Sequence, residues 1–484
     1  MKNRIIKIIC ALICIPMLWG CNKTVESMTP YDSAVDFRPE EGEIFMDVPK
    51  ERYENYHFRV LSAKTGLVSS KVDSDSITGS TVSDSIYQRN LNVQSRLGII
   101  ITETRDTPEN VYKTAVTSVL AHEDTYSAVW NYASYMGAMA ANGYLVSSDF
   151  LLEADYEKPW WNTDAMSQTA IAEKSFLLFG DIHLSYYDAH SMVGVNMELL
   201  EKIDGAADPY ELVKSGKWTF EEMHRLMKMA EADVDGDSER DEYDRYGMAA
   251  DSEAALPLIL SMGTTLSAKD EYDLPYITCY GDERFYDIYT AVAQKIFSDD
   301  HGVYNCDSHA ESDYTPLTMF QQKKSLFVVT TVGDLDHLRN MESEFGVLPM
   351  PKYGREQSEY MSYISGSEAC ALGIPVTGTH FLRTGVILEN MAAESYRAGG
   401  LREIYVDNVL NFRYVDNDKS RECLAIILDS GKFDLAEIYG WGGLSDTISD
   451  LAATGSEKYT SSIAAIKNKT ESELIDFIEL AMDF

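Results

Sequence analysis

Between Asp208 and Gly247 the apolar residues Phe220, Met223, Leu226, Met227 and Ala230 recur at helical spacing, with Glu221, Arg225 and Lys228 on the opposite side. That pattern predicts an amphipathic helix with one face on a core. Thr219 and Glu222 have capping-box spacing, and Trp218 and Met223 have that of a hydrophobic staple, so the helix starts at Phe220. Earlier in the chain, Tyr56-His57-Phe58-Arg59-Val60 alternates as a half-buried strand does, and the Ser-, Asp- and Gly-rich run from Ser62 to Ser80 reads as a long loop. Ser83 to Leu97 is helical, with Ile86, Val93 and Leu97 on one side and Gly98 as the stop. A short strand follows at Ile99 to Ile101. Thr107-Pro108 then opens a helix carrying Val111, Ala115, Val116, Val119 and Leu120, and Tyr126 to Trp130 is a third strand. Strands alternating with helices predict an α/β fold around a largely parallel, helix-covered sheet. Such sheets bind ligands at the carboxyl ends of their strands, which here means the Ser62 loop and the Trp130 region.

The first twenty residues have a different character. Lys2, Arg4 and Lys7 precede an apolar run from Ile8 to Leu18, too short to cross a hydrocarbon layer of about 30 Å. Leu18-Trp19-Gly20-Cys21 resembles the lipobox of bacterial lipoproteins. The expectation is a signal peptide at 1–20, lipidation of Cys21, and a tether over 21–54 holding the protein at the extracellular face of the cytoplasmic membrane. The lipid would be its only contact with the membrane. Losing Lys2, Arg4 and Lys7 takes the formal net charge from −37 to −40, a field that disfavours nucleic acid and anionic surfaces. A hydrophobic content of 45% excludes wholesale disorder. Cys279, Cys306, Cys370 and Cys423 are widely spaced and show no zinc pattern. Cys279 and Cys306 either bridge in an oxidising exterior or stand as buried thiols.

The acidic run after the Phe220 helix has metal-ligand spacing. Asp233, Asp235, Asp237, Asp241 and Asp244 take positions 1, 3, 5, 9 and 12 of a twelve-residue loop, with the Glu239 carbonyl at position 7. This is the ligand pattern of an EF-hand-type loop, and it predicts structural calcium held by residues 233–244. Ser238 stands where the sharp turn usually takes glycine, and Asp244 where the last ligand is usually glutamate. No GxxxxGK[ST], HExxH or CxxC motif occurs, and His183 and His190 read as surface or satisfied core residues.

A series of stretches in chain order carries a wider resemblance: SDSIYQRNLNVQSRLGIII, KPWWN at Lys158 to Asn162, Phe179-Gly180-Asp181, the Asp208 to Gly247 segment, FGVLPMPKY from Phe345, LENMAAESYR from Leu388, and FDLAEIYGWGG from Phe433. Together they resemble the bacterial extracellular solute-binding proteins, family 1, of carbohydrate ABC transporters. The resemblance implies a two-lobed periplasmic-binding-protein-like fold of type II with a hinge between the lobes. Lobe 1 would span 55–181 and return over 366–405. Lobe 2 would take 182–365, including the acidic loop, and the C-terminal helices of 406–484. It also implies a protein that is not an enzyme, capturing a solute, expected to be an oligosaccharide, for ABC permease subunits on separate chains. Sugar sites pair aromatic rings with polar groups, which points to Trp130, Trp160, Trp161, Asp181, Tyr186 and Trp441 as ligand-binding residues. Two other classes fit the composition: a lipid-anchored glycoside hydrolase using two of the 78 acids, and a surface glycan-binding or adhesion protein.

Overall fold

The computed structural model describes residues 47–484 apart from 75, 299–301, 310–312 and 416. The expected leader, Cys21 and most of the tether lie outside the described residues. Strand Tyr56–Ala63 pairs in parallel with Ile99–Asp106 and Ala128–Tyr132, as the alternation of elements predicts. Between them run the helices Thr81–Leu97, ended by Gly98 in the left-handed region, and Pro108–Leu120, whose N-cap Thr107 accepts the Asn110 N–H. The expected loop begins slightly later than Ser62, because the strand continues to Ala63. Its residues Ser69 and Ser70 are buried. Across the sheet, Cys370–Pro375 inserts antiparallel between Ala128–Tyr132 and Leu145–Val146.

A second five-stranded sheet has the spatial order Phe345–Leu348, Ser191–Asn196, Ser325–Thr331, Tyr246–Ala250 and Val303–Asn305. The last three of these are parallel, and Ser191–Asn196 runs against Ser325–Thr331. Helix Phe220–Ala230 packs here, starting where its pattern predicts, with Trp218 and Met223 both fully buried. Only half of the capping box forms. Thr219 accepts the Glu222 N–H, while the Glu222 carboxylate turns to Arg225 at 2.6 Å. The C-terminal helix Tyr459–Met482 runs from Tyr289, against which Tyr459 packs, toward Phe150 and Phe176, which Phe484 touches just beyond its end. The bridge alternative for Cys279 and Cys306 does not hold: both thiols are free, as are those of Cys370 and Cys423. His183 and His190 are both core residues.

Helix Phe381–Tyr396 is buried along most of its length, so its acids need partners within the protein. Glu394 pairs with Arg96 at 2.7 Å and Arg397 at 2.6 Å. Glu389 accepts the indole N–H of Trp160 at 2.9 Å and that of Trp161 at 2.7 Å. The chain then passes between the sheets at Phe179-Gly180-Asp181. A Cβ at Gly180 would lie 2.8 Å from the Trp160 carbonyl oxygen, so this close approach requires glycine. Burial pushes the Asp181 carboxyl up to about 7, against the opposing pull of Arg402 at 3.9 Å and a hydrogen bond from Tyr187. A few residues on, burial raises Asp188 to about 6, although Ser69 and Tyr405 both donate to it.

This packing has measurable consequences. Glu389→Ala leaves two buried indole donors unpaired and is expected to cost about 3–5 kcal/mol in urea unfolding. A loss below about 1 kcal/mol would show that the indoles are not anchored by this carboxylate. For Asp181, the folded state keeps the proton up to about 7 while the unfolded state releases it near 3.8. Its stabilising contribution is complete below the unfolded value and disappears as pH rises through the folded one. Asp181→Asn, which retains the Tyr187 bond, is therefore expected to remove about 1 kcal/mol per pH unit of downward slope in stability across that window. An unchanged slope would mean that Asp181 ionises normally.

Candidate functional site

Register places the carboxyl ends of the parallel strands on one edge of each sheet. In the first sheet Tyr132 ends its strand directly opposite Cys370, where the antiparallel strand begins. In the second, Thr331 ends its strand directly opposite Ser191. These edges meet: the Ser185 hydroxyl, on the segment that leads into the second sheet, accepts the Cys370 N–H at 3.0 Å, and Asp334, Glu253 and Asp188 of the second edge raise the Glu368 carboxyl. Gly333 marks the closeness of the approach: a Cβ there would stand 3.2 Å from Leu67 and 3.3 Å from Asp188.

Glu368 is exposed to water, yet dehydration by surrounding protein pushes its carboxyl up to about 7. Glu368 stands at the seam where the two strand-end edges come together, the crevice of this site. Neighbouring Glu437 is raised to about 8 by burial, even though the Gly366 N–H donates to it at 2.9 Å. Asp251, following the strand Tyr246–Ala250, is raised to about 6 by burial and by Glu253 and Asp307. Tyr132 and Tyr363 add aromatic hydroxyls, both pushed up chiefly by burial and held near Glu368. These residues had no local signature, since each takes its meaning from contacts with segments distant in the chain or from its place at a strand end.

The sequence candidates divide into three groups. Trp130, Trp161 and Tyr186 line a common cavity with Phe179, His183 and Leu372. Its volume of about 10 Å³ corresponds to a single water. His183 stacks on Trp130 at 6.3 Å and is neutral, its basicity lowered to about 3 by burial. Trp160 and Asp181 adjoin this cluster without lining the cavity: Trp160 packs against Tyr396 and bonds Glu389, and Asp181 faces Tyr187 and Arg402. Trp441 is elsewhere, stacked on Tyr439 in the packing of the C-terminal helix, with its buried indole N–H lacking a hydrogen-bond partner. A larger cavity of about 350 Å³ lies between the start of helix Thr81–Leu97 and the turn at Gly399-Gly400.

The acidic loop has cation-holding geometry at its start, where one carboxylate oxygen each from Asp233, Asp235 and Asp237 lie within 4.8 Å of one another. Ser238 adopts the positive φ of 65° that its turn position requires. Asp244, at the end of the loop, accepts the Val234 N–H at 2.9 Å through one carboxylate oxygen, Oδ1. The Asp237 N–H draws the Asp235 pKa down, but dehydration and the carboxylates of Asp237, Asp241 and Asp244 leave it above the ordinary value.

No family model and no curated protein matches the sequence. Solved structures do match. A substrate-binding protein of an ABC transporter from Listeria monocytogenes, in complex with cycloalternan, is 11% identical with a TM-score of 0.58, the match covering 89% of this chain and 100% of that one. The protein UspC of M. tuberculosis is 15% identical, with a TM-score of 0.56 and coverage of 86% and 100%. The maltose/maltodextrin-binding domain from Bdellovibrio bacteriovorus, bound to maltotriose, is 12% identical, with a TM-score of 0.51 and coverage of 88% and 99%. The chain therefore has the two-lobed α/β fold of these binding proteins.

Proposed function

We propose that this protein is an extracellular solute-binding lipoprotein that captures an oligosaccharide and delivers it to the permease of an ABC importer. The observation that carries this reading is the meeting of two strand-end edges, lined by Glu368, Thr331, Tyr132 and Tyr363, in a fold whose neighbours hold cycloalternan and maltotriose. Cys21 would supply the lipid anchor, and no helix among the described residues is long and apolar enough to cross a membrane.

Solute capture follows from the physics of the crevice. The cavity under Trp130 and Trp161 is far smaller than the ~300 Å³ at which ligand pockets begin. The two sheets, as cores of the two lobes, must move apart to admit a sugar and then close on it. Closure is driven by contacts that only the closed state makes. Trp130, Trp161 and Tyr186 offer ring faces for the apolar side of a pyranose, while the carboxylates and tyrosines of the crevice accept from and donate to its hydroxyls. Trp160 and Asp181 hold this surface in place. The 233–244 loop is proposed to bind calcium as a structural element of the second lobe, with Asp233, Asp235 and Asp237 as the first ligands and Glu239, Asp241 and Asp244 completing the shell.

Thermal unfolding of the chain from Cys21, with Cys21 replaced by serine, against a panel of oligosaccharides tests the main reading. At a hundredfold excess over Kd the bound glycan is expected to add roughly 2.7 kcal/mol. Release of shorter products from any glycan, without a stability shift, would point to a hydrolase instead. For the loop, calorimetry on chelated protein is expected to show calcium uptake that Asp235→Ala abolishes. Equal uptake by the variant, or none by the parent, removes calcium from the account.

A further inference from the structure

The cavity between the start of helix Thr81–Leu97 and the turn at Gly399-Gly400 shares no residue with the crevice. Its volume of about 350 Å³ falls within the range of small-molecule sites, which begins near ~300 Å³. Arg89 and Glu394, 2% and 3% exposed, stand in its wall with Asp84, Gln88 and Arg397. Charges buried this deeply need partners of opposite charge or a full set of hydrogen bonds.

The acids of the wall are served. Glu394 takes Arg96 at 2.7 Å, Arg397 at 2.6 Å and the Asn92 amide at 2.7 Å, and Asp84 accepts the Thr78 N–H at 2.7 Å and the Gly79 N–H at 3.1 Å. Arg89 is not. Its Nε donates to the Asn90 side-chain oxygen at 2.9 Å, its Nη1 to the Ile182 carbonyl at 2.7 Å and its Nη2 to the Val72 carbonyl. All three acceptors are neutral, and they use three of the five N–H donors of a guanidinium, leaving two. Asp73, Glu103 and Glu394 favour its charge without hydrogen-bonding to it. Arg397 spends Nε on Glu394 and directs Nη1 to the Ala398 carbonyl at 3.3 Å, leaving Nη2 with no hydrogen-bond partner among the described residues. The acceptors of the wall are spent, and its donors are not.

We propose that this cavity is a second binding site, taking a small organic anion whose carboxylate or phosphate oxygens bond Arg89 and Arg397. Oxyanions match the fork of a guanidinium, and such charge-assisted bonds are about twice as strong as neutral ones. The helix end reinforces the choice: Thr81 lines the cavity, its N-cap Ser80 makes no side-chain cap bond, and the positive end of the dipole lies here. An inorganic ion fills only part of 350 Å³, which leaves room for an organic body. The net charge of −37 opposes an anion at long range, but physiological salt screens it beyond about 8 Å and the local donors decide. The site also touches the passage between the sheets. Arg89 holds the Ile182 carbonyl, and Leu401 packs in one apolar cluster with Val82, Ile86 and Leu335.

Calorimetry at fixed ionic strength on the chain from Cys21, with Cys21 replaced by serine, would titrate glucuronate, glucose 6-phosphate, citrate and inorganic phosphate. Comparing glucuronate with glucose 6-phosphate separates carboxylate from phosphate as the bound group. At least one organic anion is expected to bind, with an affinity that Arg397→Gln weakens at least about tenfold. Ser85→Trp, which fills the cavity from the helix, is expected to abolish binding, and Glu368→Gln at the crevice to leave it within about threefold. Matching thermal transitions establish that the variants are folded. The proposal fails if no anion binds, if inorganic phosphate alone binds, or if folded Arg397→Gln and Ser85→Trp both keep the native affinity. It fails equally if Glu368→Gln loses the anion, which would place it in the crevice. The oligosaccharide panel reports on the crevice separately, so neither outcome decides the other.

Discussion

Everything at the candidate site depends on how the chain passes from one sheet to the other. Leu178 is still hydrogen-bonded to Leu372 of the first sheet, and by Ser191 the chain is paired with Thr331 of the second. Between these points the segment turns past Trp160 on a glycine, buries Asp181 and Asp188, and ties the Ser69 loop to itself through Leu184 and Asp188. So short a connection leaves little freedom in where the two strand-end edges lie. It places Tyr186 in the cavity lined by Trp130 and Trp161. The buried carboxylates are the cost of this arrangement: both are raised toward neutrality by dehydration, and both keep partners on neighbouring elements.

Acids in this protein fall into two physical classes that composition cannot separate. Glu389 and Glu394 lie on a buried helix and meet donors already in place, two indoles in one case and two arginines in the other. Those contacts are complete, and they serve to fix Trp160, Trp161 and the helix. Glu368 and Glu437 are dehydrated among other carboxylates, and the Gly366 N–H donates to Glu437. Incomplete satisfaction at a crevice is what a binding site presents before its ligand arrives, whereas in a core it would simply destabilise.

The same distinction explains how much the sequence discloses. Helix Phe220–Ala230, the strand at Tyr56 and the helix starting at Pro108 are read correctly because their determinants lie within a few residues: a cap, a proline, a period. The parallel pairing of the first three strands follows from the helices between them. Cys370–Pro375 is different. It pairs with Ala128–Tyr132 from far along the chain, and nothing local announces that it enters the first sheet. Glu368 inherits this invisibility, since its position beside Thr331 follows from that insertion. Tryptophan chemistry is partly legible. Trp218 is buried as the pattern predicts and donates to the Pro349 carbonyl, but what separates Trp160 and Trp161, which both donate to Glu389, from Trp441, whose indole N–H is unpaired, is a tertiary fact.

The aromatic cluster sets the energetic terms of opening. Trp130 and Trp161 are 2% and 4% exposed, so parting the edges wets apolar surface at about 25 cal/mol per Å². Exposing even ~100 Å² would cost about 2.5 kcal/mol on that scale. A ligand shifts the opening equilibrium only by its differential affinity for the closed form. On the proposed reading, a solute that covers the rings replaces water on the aromatic faces and so favours the closed form.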